Sequence, residues 1–183
     1  MSRDLPTTLS PAALAAEEAR LARFFNSINK HRVALDFAID ESFGGELDPS
    51  GWRRAFDSSE PADTIRTVVV TGSYSAIVNA YVEILKAAAG SRLTGLLPHR
   101  RPHAEQVFEA VQSDGGLTAK QVVLLNESYV LEGRLEHASP DVDVEEVREH
   151  VERLREELPG LIESINTWLK SYGITFGQAT ELK

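Results

Sequence analysis

Residues 63–89 read DTIRTVVVTGSYSAIVNAYVEILKAAA, and the fold class turns on whether this stretch is strand or helix. Thr67-Val68-Val69-Val70-Thr71 is β-branched throughout and has strand propensity. Downstream, Tyr74, Ile77, Val78, Tyr81, Val82 and Leu85 recur at threes and fours, with Gly72, Ser73, Ser75, Ala76 and Ala80 interleaved. A lone strand over 66–71 would have no evident partner elsewhere in the chain. The spacing therefore predicts one long helix over 63–89, ended by Gly90. It is apolar nearly all round and hence central, and a short strand at 66–71 is the competing reading.

On the N-terminal side, Ser10-Pro11 opens a helix, with serine as the cap and proline at the first helical position. Leu14, Leu21, Phe24, Phe25, Ile28, Leu35 and Ile39 form its apolar stripe, and Gly44-Gly45 stops it. Residues 46–61 are turn-rich. Asp48-Pro49-Ser50-Gly51 caps a short helical piece whose Trp52 and Phe56 lid the core. On the C-terminal side, 91–102 reads as a loop and 103–112 as a short helix. Asp114-Gly115-Gly116 is a turn, and a helix over 118–137 ends at Ala138-Ser139-Pro140. Asp143 and Glu146 make a capping-box start. Val144, Val147, Val151, Leu154, Leu158, Leu161, Ile165, Trp168 and Tyr172 then keep helical spacing through Pro159, where a bend is expected, up to Gly173. The expected architecture is all-α: an antiparallel bundle of four long helices plus short ones. It forms a single domain over 10–173, with a flexible N-terminus at 1–9 and a tail at 174–183.

Composition narrows the function. The 183 residues include no cysteine, which excludes a disulfide scaffold, a thiolate metal site and a cysteine nucleophile. The reducing cytosol is the default compartment, so a cytoplasmic protein is expected. No run of about 18 uninterrupted apolar residues is present, so no membrane span is expected. The start of the chain lacks the apolar core of a secretory signal. The formal charge of −9 repels phosphate at long range, so a nucleic-acid site would have to be a local patch. One such patch is legible. Residues 86–103 carry Lys86, Arg92, Arg100 and Arg101 with His99 and His103 and no acid, whereas 132–157 is strongly acidic. Solvated surface explains both, and an anion-binding role for the basic stretch is the functional alternative.

Dinucleotide, phosphate-loop, zinc-protease and serine-elbow motifs are absent. The histidines show no metal-ligand spacing, since Pro102 separates His99 from His103, and neither a metal nor a cofactor is expected. The acids of 145–157 alternate with Arg148, Arg153 and Arg155 at offsets suited to surface ion pairs. What remains is Glu132-Gly133-Arg134-Leu135-Glu136-His137. Arg134 and His137 lie three apart in the last helical turn, where the negative end of the macrodipole favours cations. Helix-end electrostatics account for them. So does chemistry: a histidine moves protons, an arginine holds phosphate, and the two suffice for metal-free cleavage of an RNA backbone.

The order of features also resembles a known family. The helix Ser73-Tyr74-Ser75-Ala76-Ile77-Val78-Asn79-Ala80-Tyr81-Val82-Glu83 is followed by a variable loop. A helix then ends in Arg134 and His137 near a polar turn, and a long acidic-start helix closes the chain. Over roughly 62–172 this is similar to HEPN domains. The resemblance implies a helical bundle, usually a homodimer, often acting as a metal-independent ribonuclease in toxin–antitoxin, CRISPR-associated or antiphage systems. His137 would then be the acid/base and Arg134 the phosphate clamp. Here only two residues separate the pair, closer than the family spacing, and at about 100° per residue that re-aims the imidazole. HEPN-like bundles also serve as non-catalytic adaptors, and the acidic last helix offers such a module a protein-docking face. A third reading places a small-molecule pocket near Tyr74, Tyr81 and Tyr129.

Overall fold

A computed structural model describes residues 10–90, 93–97, 102–137 and 142–174, and within them the chain is all-α. The helices are α1 (Pro11–Phe43), α2 (Pro49–Asp57), α3 (Pro61–Ala89), α4 (Ala104–Ser113), α5 (Ala119–Glu136) and α6 (Val144–Ser171). Among the described residues the only β pairing is an isolated bridge between Gly90 and Leu97. The flexible N-terminus and most of the tail expected from the sequence lie outside the described residues.

The helix ends follow local chemistry. Ser10 Oγ accepts the Ala13 N–H at 3.3 Å, and Gly44 closes α1 at φ 74°. Asp48 accepts the N–H groups of Ser50 and Gly51, which starts α2 as expected. The Ser50 hydroxyl, which also donates to Asp48 (2.7 Å), and then the Gly51 N–H hold the Asp48 carboxyl below its ordinary pKa. The competing strand at 66–71 does not form. Thr67 and Thr71 turn their hydroxyls back onto the carbonyls of Asp63 (3.1 Å) and Thr67 (2.8 Å), while Thr67, Val70, Ser73 and Tyr74 are buried. Burial of one face outweighs the β-branched propensity, and each hydroxyl finds a partner inside the helix.

Central placement of α3 is borne out: it packs against α1, α2, α4, α5 and α6, most extensively against α1. By length and composition α3 could cross a membrane, its most apolar stretch having a mean hydropathy of 1.4, yet half of that stretch is buried against the rest of the chain. Trp52, Tyr74, Tyr81 and Phe108 are fully buried within one contiguous apolar cluster. Trp52 donates Nε1–H to the Val144 carbonyl (2.8 Å), tying α2 to the start of α6, and meets Phe43 edge-on and Phe56 at a tilt.

Helix α6 continues unbroken through Pro159. Its cap differs in part from expectation. Asp143 accepts the Glu145 N–H (2.9 Å), but Glu146 pairs with Arg134 of α5 in place of closing a capping box. Cross-helix bonds give the orientation of this pair. Lys120 meets Glu157, Glu127 meets Arg153 at 2.9 Å, and Arg134 meets Glu146, so α5 and α6 run antiparallel. On the far side of α6, Arg155 holds Asp36 (2.7 Å), Asp40 (3.3 Å) and the Gly45 carbonyl (3.1 Å).

Candidate functional site

Antiparallel α5 and α6 leave a groove of about 380 Å³, lined by Asn126, Glu127, Val130, Arg134, Glu146 and His150. Positions 126, 127, 130 and 134 recur on one face of α5, and 146 and 150 stand one turn apart on α6. Arg134 is half-buried, and its Nη2 donates to the Glu146 carboxylate. Its Nε–H, the Asn126 Oδ1 and the His150 Nδ1 are each buried and have no hydrogen-bond partner among the described residues. The His150 pKa is pushed below the ordinary imidazole value, first by burial and then by the Arg153 charge, while Glu127, Glu146 and Glu149 pull the other way. The imidazole is therefore neutral near neutral pH.

His137 does not line this groove. It is the C-cap of α5 (φ −90°, ψ 9°), its N–H bonds to the Gly133 carbonyl (3.3 Å), and its side chain is exposed. Arg134 faces Glu146 inside the groove, whereas His137, held by its N–H bond to Gly133 about one turn beyond Arg134, is not among the residues that line it. The imidazole that joins Arg134 is that of His150, from the other helix.

The remaining expected binding residues do not converge here. Lys86 pairs with Glu83 along α3 (3.2 Å), and His103 is the exposed N-cap of α4, its own N–H bonded to Gln106 (3.3 Å). Arg92, Arg100 and Arg101 lie outside the described residues, as does His99. Among the described residues no cluster of three or more histidines and carboxylates is arranged to hold a metal ion. The acids of α6 are largely met by cations of this chain: Arg148 bridges Glu145 and Glu152 (both 2.5 Å), Arg134 takes Glu146 and Lys120 takes Glu157. Tyr74 and Tyr81 are core residues. Tyr74 donates to the Ser128 carbonyl (3.3 Å), and burial raises both phenols well above their usual range.

A second groove, of about 310 Å³, opens on the opposite side of α5 against α3, lined by Val68, Thr71, Gly72, Ser75, Glu132, Leu135 and Glu136. Glu132 is buried, and burial raises its pKa although the Asn79 amide donates to it at 2.8 Å.

Chemically, the α5–α6 groove holds a guanidinium whose charge is already matched. Only Nη2 is engaged by Glu146, so a phosphate taken by the other donors of Arg134 would stand beside that carboxylate, and the like charges oppose it. Comparison of the chain with family models, with curated proteins and with solved structures finds no match.

Proposed function

We propose that this chain is a HEPN-like helical interaction module that acts by docking and not by catalysis, with α1, α3, α5 and α6 as the long members of an antiparallel four-helix bundle in the cytoplasm. The observation that carries this reading is the Arg134–Glu146 pair. Arg134, the phosphate clamp of the catalytic reading, is matched by a carboxylate, and His137 does not line its groove. Exposed apolar side chains supply the complementary support: Ile65 and Val68 of α3 are 62% and 60% exposed. Docking is to a protein, through apolar helix faces or the acidic face of α6, in an adaptor role within a defence or stress system.

The test is incubation of purified protein with single-stranded RNA in excess EDTA. The module reading expects intact RNA. Cleavage that survives chelation and disappears in His137→Ala or His150→Ala would overturn it. That outcome would establish the second reading, a metal-independent endoribonuclease of toxin–antitoxin or antiphage type. One observation favours this second reading: Arg134 shares its groove with a neutral imidazole, the state a general base requires at neutral pH.

A further inference from the structure

The outward face of α3 carries a pattern that nothing among the described residues explains. Ile65, Val68 and Val69 are 62%, 60% and 38% exposed. Gly72 follows one turn on, and a Cβ built there meets nothing within 4 Å. Beyond it on the same face stand Ser75 and Ala76, half-exposed, and then Asn79, exposed. A glycine inside a helix costs roughly 1 kcal/mol relative to alanine. Inside the monomer that cost brings no close contact in return.

The order along this face is large, then none, then small, and it is matched to itself. With a two-fold axis at Gly72 and the second helix antiparallel, Val69 falls opposite Ser75, Val68 opposite Ala76, and Ile65 opposite Asn79. Every bulky side chain meets a small or polar one, and the missing Cβ sits where the helices cross. The α3–α5 groove lies along the same face, walled by Val68, Gly72, Ser75 and Leu135. It is a recess beside the side chains that would fill it, which is the self-complementarity an isologous contact requires.

Charge agrees with this pattern. The chain carries −9 overall, yet α3 has no charged residue from Thr67 through Val82. The charges flanking that span cancel within the helix, Arg66 on Asp63 and Lys86 on Glu83, each at 3.2 Å. Two acidic molecules can meet here without opposing like charges from α3. Of the two acids on the groove wall, Glu132 is turned to Asn79, and Glu136 at the end of α5 is exposed.

We propose that the outward face of α3, crossing at Gly72, is the contact through which two copies of this chain associate. The proposal deepens the interaction-module reading and rests on it for taking an apolar helix face as a working surface. From Ile65 to Asn79 the face runs about 21 Å at 1.5 Å per residue.

The chain has no native cysteine, so a single introduced thiol reports unambiguously. Gly72→Cys and, as control, Val33→Cys on the exposed outer face of α1 are compared under mild oxidant. The Gly72→Cys chain is expected to form a disulfide-linked dimer at least about ten-fold faster, because the contact raises the local thiol concentration. In parallel, sedimentation equilibrium of the unmodified chain should rise toward twice 20.1 kDa with concentration. Val68→Asp and Ile65→Lys, both at exposed positions, should stay at the single-chain mass. A monomer at every concentration, or a dimer that Val68→Asp and Ile65→Lys leave intact, overturns the proposal. Neither result bears on RNA cleavage in EDTA, so failure of the contact and failure of the non-catalytic reading are read separately.

Discussion

Replacing Gly116 with alanine adds one methyl group at a glycine that packs against two side chains of the core. A Cβ there would stand 2.6 Å from Val111 Cγ1 and 2.7 and 2.8 Å from the Trp168 ring carbons Cγ and Cδ2. The ring has little freedom to retreat. Trp168 is 3% exposed, its Nε1 donates to Asp114 Oδ2 at 2.8 Å, and Tyr172 packs edge-on against it while donating to the same oxygen at 2.6 Å. Overpacking of this kind costs about 1–3 kcal/mol. Pushing the indole off Asp114 adds about 1 kcal/mol for a strained hydrogen bond, so about 2–4 kcal/mol is expected. With a urea slope of roughly 2 kcal/mol per M, the unfolding midpoint should fall by about 1 M or more. Equilibrium urea unfolding followed by tryptophan fluorescence measures it. Trp168→Phe in the same background should return part of the loss, because the smaller ring leaves room and the two sites are coupled. A Gly116→Ala midpoint within about 0.2 M of the parent would refute the seating of Trp168 on the Asp114–Gly116 turn.

Other predictions use the same unfolding assays. Gly133→Ala, inside α5 where an added Cβ meets nothing within 4 Å, should stabilise the chain by about 0.5–1 kcal/mol; a loss of stability would contradict the open surface there. Arg155→Ala removes the bonds to Asp36, Asp40 and the Gly45 carbonyl and should cost about 1–2 kcal/mol, since the partly exposed guanidinium is screened; an unchanged midpoint would show those bonds idle. His150 has a folded pKa below its unfolded value of about 6.5, so the unfolded state takes up its proton first and stability falls as the pH drops from 7 through the histidine range. Stability of His150→Gln should fall less over the same window, and an identical slope would refute the burial of His150.

The helices that stand on one apolar stripe were legible in the sequence. Ser10-Pro11, Gly44 and Asp48 act as the caps their chemistry implies. The β-branched run at Thr67–Thr71 is ambiguous in one dimension, because propensity and periodicity disagree there. The disagreement ends only when α1 and the other helices cover one face of α3. The α5–α6 groove was not legible for a different reason. Spacing along a chain shows which residues share a helix face but not which faces meet. Glu146 fits a capping box on local grounds and is taken by Arg134 only once α5 lies antiparallel beside α6. His150 reads as one more polar residue on an acidic helix until that pairing brings it into the groove with Arg134. His137 is the converse case: three residues from Arg134 in sequence, and absent from the lining of the groove that Arg134 enters.

The account rests on Arg134 being a structural partner of Glu146 and not a free phosphate clamp. Heteronuclear NMR of the arginine Nε–H resonances tests this directly, with Arg134 assigned by its loss in Arg134→Lys. The Arg134 signal should shift in Glu146→Gln and stay unmoved as a short single-stranded RNA is titrated in. A saturable displacement of that signal by RNA in the parent protein would contradict the account.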